Sequence, residues 1–218
     1  MANEKYEITD IAHERYPFLR RIRALRDIGE EVKAGDLGGF VETEANLSFE
    51  EGDDAWIFND AVVAGEAVAD KGAALRDNAI ACGCAYVSNG SVMLGRSRAE
   101  DDAYLSGATM LEDATVSGNA MILREERSGG APALSGQCRI YGTVRGDIRV
   151  GGKAVLFSNQ SVENASKDTF ILTEKGQDIM RCLSRDVLQP VASEEEEEKA
   201  EAKREPEKSA KKRSEPQR

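Results

Sequence analysis

One histidine, His13, is all that the 218 residues provide. That scarcity excludes a good deal, because imidazole is the side chain that ordinarily titrates near neutral pH and is the commonest ligand of zinc and its neighbours. A zinc centre built on three histidines is out of reach. Cysteine is sparse too, with Cys82, Cys84, Cys138 and Cys182 unevenly spaced. Cys82-Gly83-Cys84 lacks the two-residue spacer of a metal-binding pair and no second pair accompanies it, so no metal site is expected. No apolar run approaches the ~18 residues of a membrane span, and the N-terminus lacks the charged, apolar, small order of a secretory signal. The expectation is a soluble, cytoplasmic chain with reduced thiols and no membrane partner. Basic residues are in the minority, 29 against 40 acidic, for a net charge of −11. Val191 to Arg218 holds nine acidic and eight basic residues, or −1, which leaves −10 on the remainder. A surface so acidic repels phosphate backbones, so direct nucleic-acid binding is not expected.

What is present is a beat of six. Small residues recur at Ala55, Ala61, Ala67, Ala73, Ala79 and Ala85, continue as Ser91, Ser97 and Ala103, and resume one residue early at Ala108, Ala114 and Ala120. Two positions after each lies a second column: Ile57, Val63, Ala69, Leu75, Ala81, Val87, Met93, Ala99, Leu105, Met110, Val116 and Ile122. Turn formers such as Asn59-Asp60, Asp77-Asn78, Asn89-Gly90 and Gly118-Asn119 fill the gaps. In a strand, residues two apart share a face, so the small and the aliphatic residue point inward together and the residue between them points out. Three such sides close a triangle of about 18 residues, and the triangles stack as parallel strands; a helical period of 3.6 fits none of this. The sequence therefore predicts an all-β fold, a left-handed parallel β-helix of about six coils over residues 38–160. A charged, Gly-rich loop interrupts it at residues 124–132.

An open coil exposes strand edges and needs caps. Residues 1–37 are expected to supply a small N-terminal cap, with Ile22 and Ala24 alternating with arginines as in a strand. Residues 161–190 are expected to form a C-terminal cap whose FILT and DIMRCL segments make a hairpin. Residues 191–218 have no apolar residue larger than Ala after Val191, which predicts a disordered charged tail.

Two stretches carry a resemblance. V63-A-G-E-A67, L75-R-D-N-A79 and V116-S-G-N-A120 are similar to the hexapeptide pattern of the trimeric acyltransferase superfamily with left-handed β-helix folds. KYEITD, RIRALRD, VKAGDLGGFVE and NLSFEEGDDAW resemble the opening of a group of phage- and prophage-borne hexapeptide-repeat proteins, the enterobacterial YdcK proteins among them, which are labelled transferases. The label rests on fold analogy, and fold alone does not establish chemistry.

The resemblance implies an acyl-CoA-dependent acyltransferase, in which a histidine on the β-helix acts as general base and the donor lies between subunits. Here the repeats hold no histidine, and only His13 is available, beside Glu14, Arg15 and Tyr16. The expectation drawn from the residues is instead a non-catalytic binding or assembly scaffold that needs no cofactor. Its partner is another protein or its own copies, as in a homotrimer. The contact surface is read from the outward positions: Val68, Tyr86 and Tyr104 stack in one line, Trp56, Ala74 and Val92 in a second, Val62 and Ile80 in a third. A competing use of these residues is burial beneath the N-terminal segment. Arg139, Arg145 and Arg149 also point outward, but on successive sides of the triangle rather than into a shared pocket. A third function consistent with the charge is an acidic mimic of nucleic acid.

Overall fold

The computed structural model describes residues 3–182. Strands Tyr6–Ala12 (β1), Arg20–Ala24 (β2) and Leu37–Val41 (β3) pair antiparallel in that order. β3 then becomes the first rung of a parallel ladder, pairing Phe40 with Val62 and Val41 with Val63. From there the chain turns through a three-sided parallel β-solenoid of about seven turns. Its first side carries the rungs Val62–Val63, Ile80–Ala81, Arg98–Ala99 and their successors; the second starts at Trp56–Ile57 and the third at Val68–Ala69.

The inward columns are as the hexapeptide beat requires. Every small residue from Ala55 to Ala120, and every aliphatic partner from Ile57 to Ile122, is buried, and together they form one continuous core. The small residue sits at the entrance to each rung, where the corner brings backbones close; the larger one fills the centre of the triangle. The omitted residue before Ala108 is absorbed without a register break, since Tyr104 pairs with Met121 and Val92 with Thr109. Coil follows coil through backbone bonds such as Trp56 N–H to Ala73 O and Ala74 N–H to Ser91 O, both 2.9 Å.

The corners also account for part of the acidic excess. Asn59, Asp77, Asp101 and Glu112 hold the left-handed conformation, with φ between 53° and 60°. Their side-chain oxygens accept the backbone N–H one coil further on, Asp77 from Gly95 and Asp101 from Gly118 at 2.9 Å each. These carboxylates tie successive turns together, whatever else their charge does.

One expectation needs correction. The ladder has about seven turns rather than six, because Thr169–Thr173, read from sequence as a hairpin strand alone, also pairs parallel with Ile148–Val150 as the last rung of the second side. It does form the expected hairpin as well, pairing antiparallel with Gly176–Met180. The expected tail, 191–218, and the end of the expected C-terminal cap, 183–190, lie outside the described residues.

The N-terminal cap buries a charge. Lys5 is 1% exposed and donates from Nζ to Ser48 O at 2.8 Å, with no carboxylate in contact. Burial lowers its ammonium to about 8, against the weaker upward pull of Asp53. Between pH 8 and the unfolded value of 10.5, the unfolded chain holds a proton that the folded chain has shed, so stability rises with pH across that window. Tyr6 and Cys138, both pushed up by burial, act in the opposite sense at alkaline pH, so the comparison must be made against a variant. We expect wild type to gain roughly 2–3 kcal/mol on Lys5→Met between pH 7.5 and 10.5, read from urea unfolding at each pH. A difference that stays constant with pH would show that Lys5 is not buried as an ammonium.

Candidate functional site

The loop between β1 and β2, residues 13–19, folds back over the first side of the solenoid. Leu19 packs on Phe40 and Val62, with Ala64 and Ile80 at the margin, so the outward line Val62 and Ile80 is covered from within the chain. Arg21 lies over the Phe40 ring at 4.4 Å and pairs with Asp60 at 2.5 Å. Between loop and sheet runs a groove of about 670 Å³, and His13 lines it.

His13 lies within the loop's own turn. Its ring stacks on Tyr16, centroids 5.4 Å apart, and meets Phe40 edge-on at 4.8 Å. Its Nδ1 accepts the backbone N–H of Arg15 at 3.2 Å and of Tyr16 at 3.3 Å.

The outward residues of the second and third sides divide differently from the sequence expectation. Trp56 was expected on a contact surface, and the structure corrects this. It is 2% exposed, belongs to the main core and packs edge-on against Tyr6 at 6.3 Å. The reason is position along the rod: Trp56 sits on the first rung of its side, where the cap folds across it. Val68, Tyr86 and Tyr104 lie farther along and stack as the register requires. All three are half-buried. The two tyrosine rings stack at 5.7 Å and 22°, and Met121, the next residue in line, is 41% exposed. The Tyr86 hydroxyl donates to Asp70 Oδ2, and this bond, with burial behind it, pushes the phenol up to about 12.

The central outward line of each of these two sides carries few charges. On the third, the outward line is Val68, Tyr86, Tyr104, Met121, Thr143 and Ser161. On the second, beyond Trp56, it is Ala74, Val92, Thr109, Ala133, Arg149 and Ile171. The corner between them turns at Lys71-Gly72, Asn89-Gly90 and Gly107 in successive coils and then opens into the charged loop of residues 124–132.

The three arginines fall on three sides, as their spacing requires. Arg139 and Arg149 are exposed. Arg145 is not simply solvated: it is half-buried, and its Nε is buried without an acceptor among the described residues. It lines a second hollow, of about 610 Å³, together with Tyr104 and the arginines of the 124–132 loop. Sequence reasoning missed this grouping because the loop has no repeat from which its path can be read.

All four cysteines are free thiols. Cys138 occupies an inward small-residue position, and burial raises its thiol to about 11, so it behaves as an apolar residue. Among the described residues no cluster of His, Cys, Asp and Glu is arranged to hold a metal ion, and no helix is long and apolar enough to cross a membrane. No protein-family model matches the chain, and no curated protein matches it.

Proposed function

We propose that this chain is a non-catalytic β-solenoid scaffold that assembles with copies of itself, as a homotrimer packed through its second and third sides. One observation carries the reading: in a chain of net charge −11, the central outward lines of these two adjacent sides, Val68 to Ser161 and Ala74 to Ile171, hold one charged residue, Arg149, while Arg145 and Glu163 stand on the flanking line of the third side. Copies of an acidic molecule repel one another, and the repulsion is least where the carboxylates are absent. Two different flat faces suit a heterologous contact, second side of one copy against third side of the next, and such a contact forms a ring where the rotation between copies closes. Tyr86, Tyr104 and Met121 supply the aromatic and flexible apolar area that contact surfaces favour. A left-handed coil and kinship with the phage- and prophage-borne repeat proteins belong to this same reading. An acyl-transfer role of the usual kind needs a histidine on the coils, and the chain's single histidine, His13, lies before them.

The test is charge placed on the faces. Ala74→Glu on the second side and Tyr104→Glu on the third each bury a carboxylate in the proposed contact, whereas Arg139→Glu alters the first side alone. We expect the first two variants to run as monomers in sizing-column light scattering and the third to keep the mass of wild type. Identical masses for all four proteins would overturn the proposal.

A further inference from the structure

The hollow beside the 124–132 loop opens on the third side and shares Tyr104 with the proposed contact, but its arginines have a chemistry of their own. The loop leaves the solenoid after the rung Met121–Leu123 and rejoins it at Ala133–Leu134, which pairs with Thr109–Met110. In doing so it brings Arg124 and Arg127 over the third side, where Arg145 stands on the next rung, paired with Leu123. None of these three arginines takes part in an ion pair among the described residues, although Arg21, Arg23, Arg76, Arg96 and Arg98 all do. Glu125 and Glu126 line the same hollow and leave the three arginines unpaired. With three arginines against two glutamates, the lining is net positive on a chain that is otherwise acidic.

The second observation is the orphaned Arg145 Nε. Its N–H is buried and meets no acceptor among the described residues. A buried donor left unsatisfied is costly, and guanidinium is the side chain whose planar fork matches a carboxylate or a phosphate. Three such forks around one hollow, one of them already stripped of water at Nε, make a site with room for a small molecule rather than a lone ion. The Tyr104 ring forms part of its wall.

We propose that this hollow binds an oxyanion, a phosphate or a carboxylate carried by a small ligand, with the half-buried Arg145 as the anchor and Arg124 and Arg127 beside it from the loop. The site is complete within one chain and does not depend on self-association.

The experiment is calorimetric titration of the full chain with inorganic phosphate and, in parallel, with acetate, at low salt. The expected result is one site per chain. Phosphate binding the tighter would assign a phosphate-bearing ligand, and acetate the tighter a carboxylate. Arg145→Gln should weaken that binding about tenfold or more, the worth of one charge-assisted hydrogen bond. Arg124→Gln, on the loop and outside the core, should weaken it without altering the thermal unfolding of the solenoid. Arg139→Gln, exposed on the first side, should leave it unchanged. No heat from either anion, or equal affinity in all three variants, would overturn the proposal. Because mass and binding are separate readouts, a monomer that binds phosphate would sink the homotrimer and leave this site standing.

Discussion

Trp56→Ala should unfold the N-terminal end of the solenoid at a temperature roughly 10 °C below wild type, the equivalent of about 3–5 kcal/mol. The indole is the largest fully buried side chain of the molecule. It closes the first turn by filling the space beneath β1 and β2, against Tyr6 on one side and the backbone of β3 on another. The fit there is close: a Cβ on Gly38 would lie 2.7 Å from the indole Cζ2 and 2.6 Å from Ile22 Cγ1, so glycine is needed for the strand to pass. Truncating the indole leaves a cavity that the flat rungs around it cannot collapse to fill. In a repeat structure each turn leans on its neighbours alone, so the loss should appear first as local fraying rather than uniform weakening. Circular dichroism gives the melting temperature, and amide exchange at Ile57, Val63 and Leu75 locates the damage. A melting temperature within 2 °C of wild type would mean that the cap seals the end without the indole.

Asn46→Ala should cost a comparable amount, on the order of 3–5 kcal/mol, through hydrogen bonds rather than volume. Asn46 is fully buried at the first corner. Its Oδ1 accepts the backbone N–H groups of Glu42 at 3.1 Å and Thr43 at 2.7 Å. Its Nδ2 donates to Gly65 O at 2.8 Å and Ala67 O at 2.9 Å in the turn above. One side chain therefore satisfies four backbone groups that the missing lower coil would otherwise have served. Alanine strands all four, and each unsatisfied buried group costs roughly 1–3 kcal/mol, less whatever water recovers. Urea unfolding would read the loss. Asn46→Asp, which keeps the acceptor and loses the donor, should fall between alanine and wild type. Should Asp prove as stable as wild type, the two bonds to the turn above would carry nothing.

The contrast between these two residues and the repeat shows what a sequence of this kind discloses. Ala79 and Leu75 could be placed in the core from spacing alone, because every coil repeats the same steric problem and the period states the solution. The outward line Val68, Tyr86 and Tyr104 followed from the same register. Trp56 obeys that register too, yet its surroundings come from β1 and β2, which have no period, and so it reads as exposed while lying under the cap. Asn46 looks like one more turn former until its four partners are seen. Arg145 was rightly separated from Arg139 and Arg149, and its meeting with Arg124 and Arg127 depends on the irregular path of a loop. The seventh turn was hidden because the segment before Thr169–Thr173 does not keep the small-residue beat.

Light scattering on the full-length wild-type chain, at several concentrations and at moderate salt, tests the scaffold reading most directly. We expect a mass three times that of the chain, holding on dilution into the low micromolar range and firmer at higher salt, where repulsion between acidic copies is screened. A monomer at every concentration and salt would contradict it, and would leave the second and third sides without the occupant proposed for them.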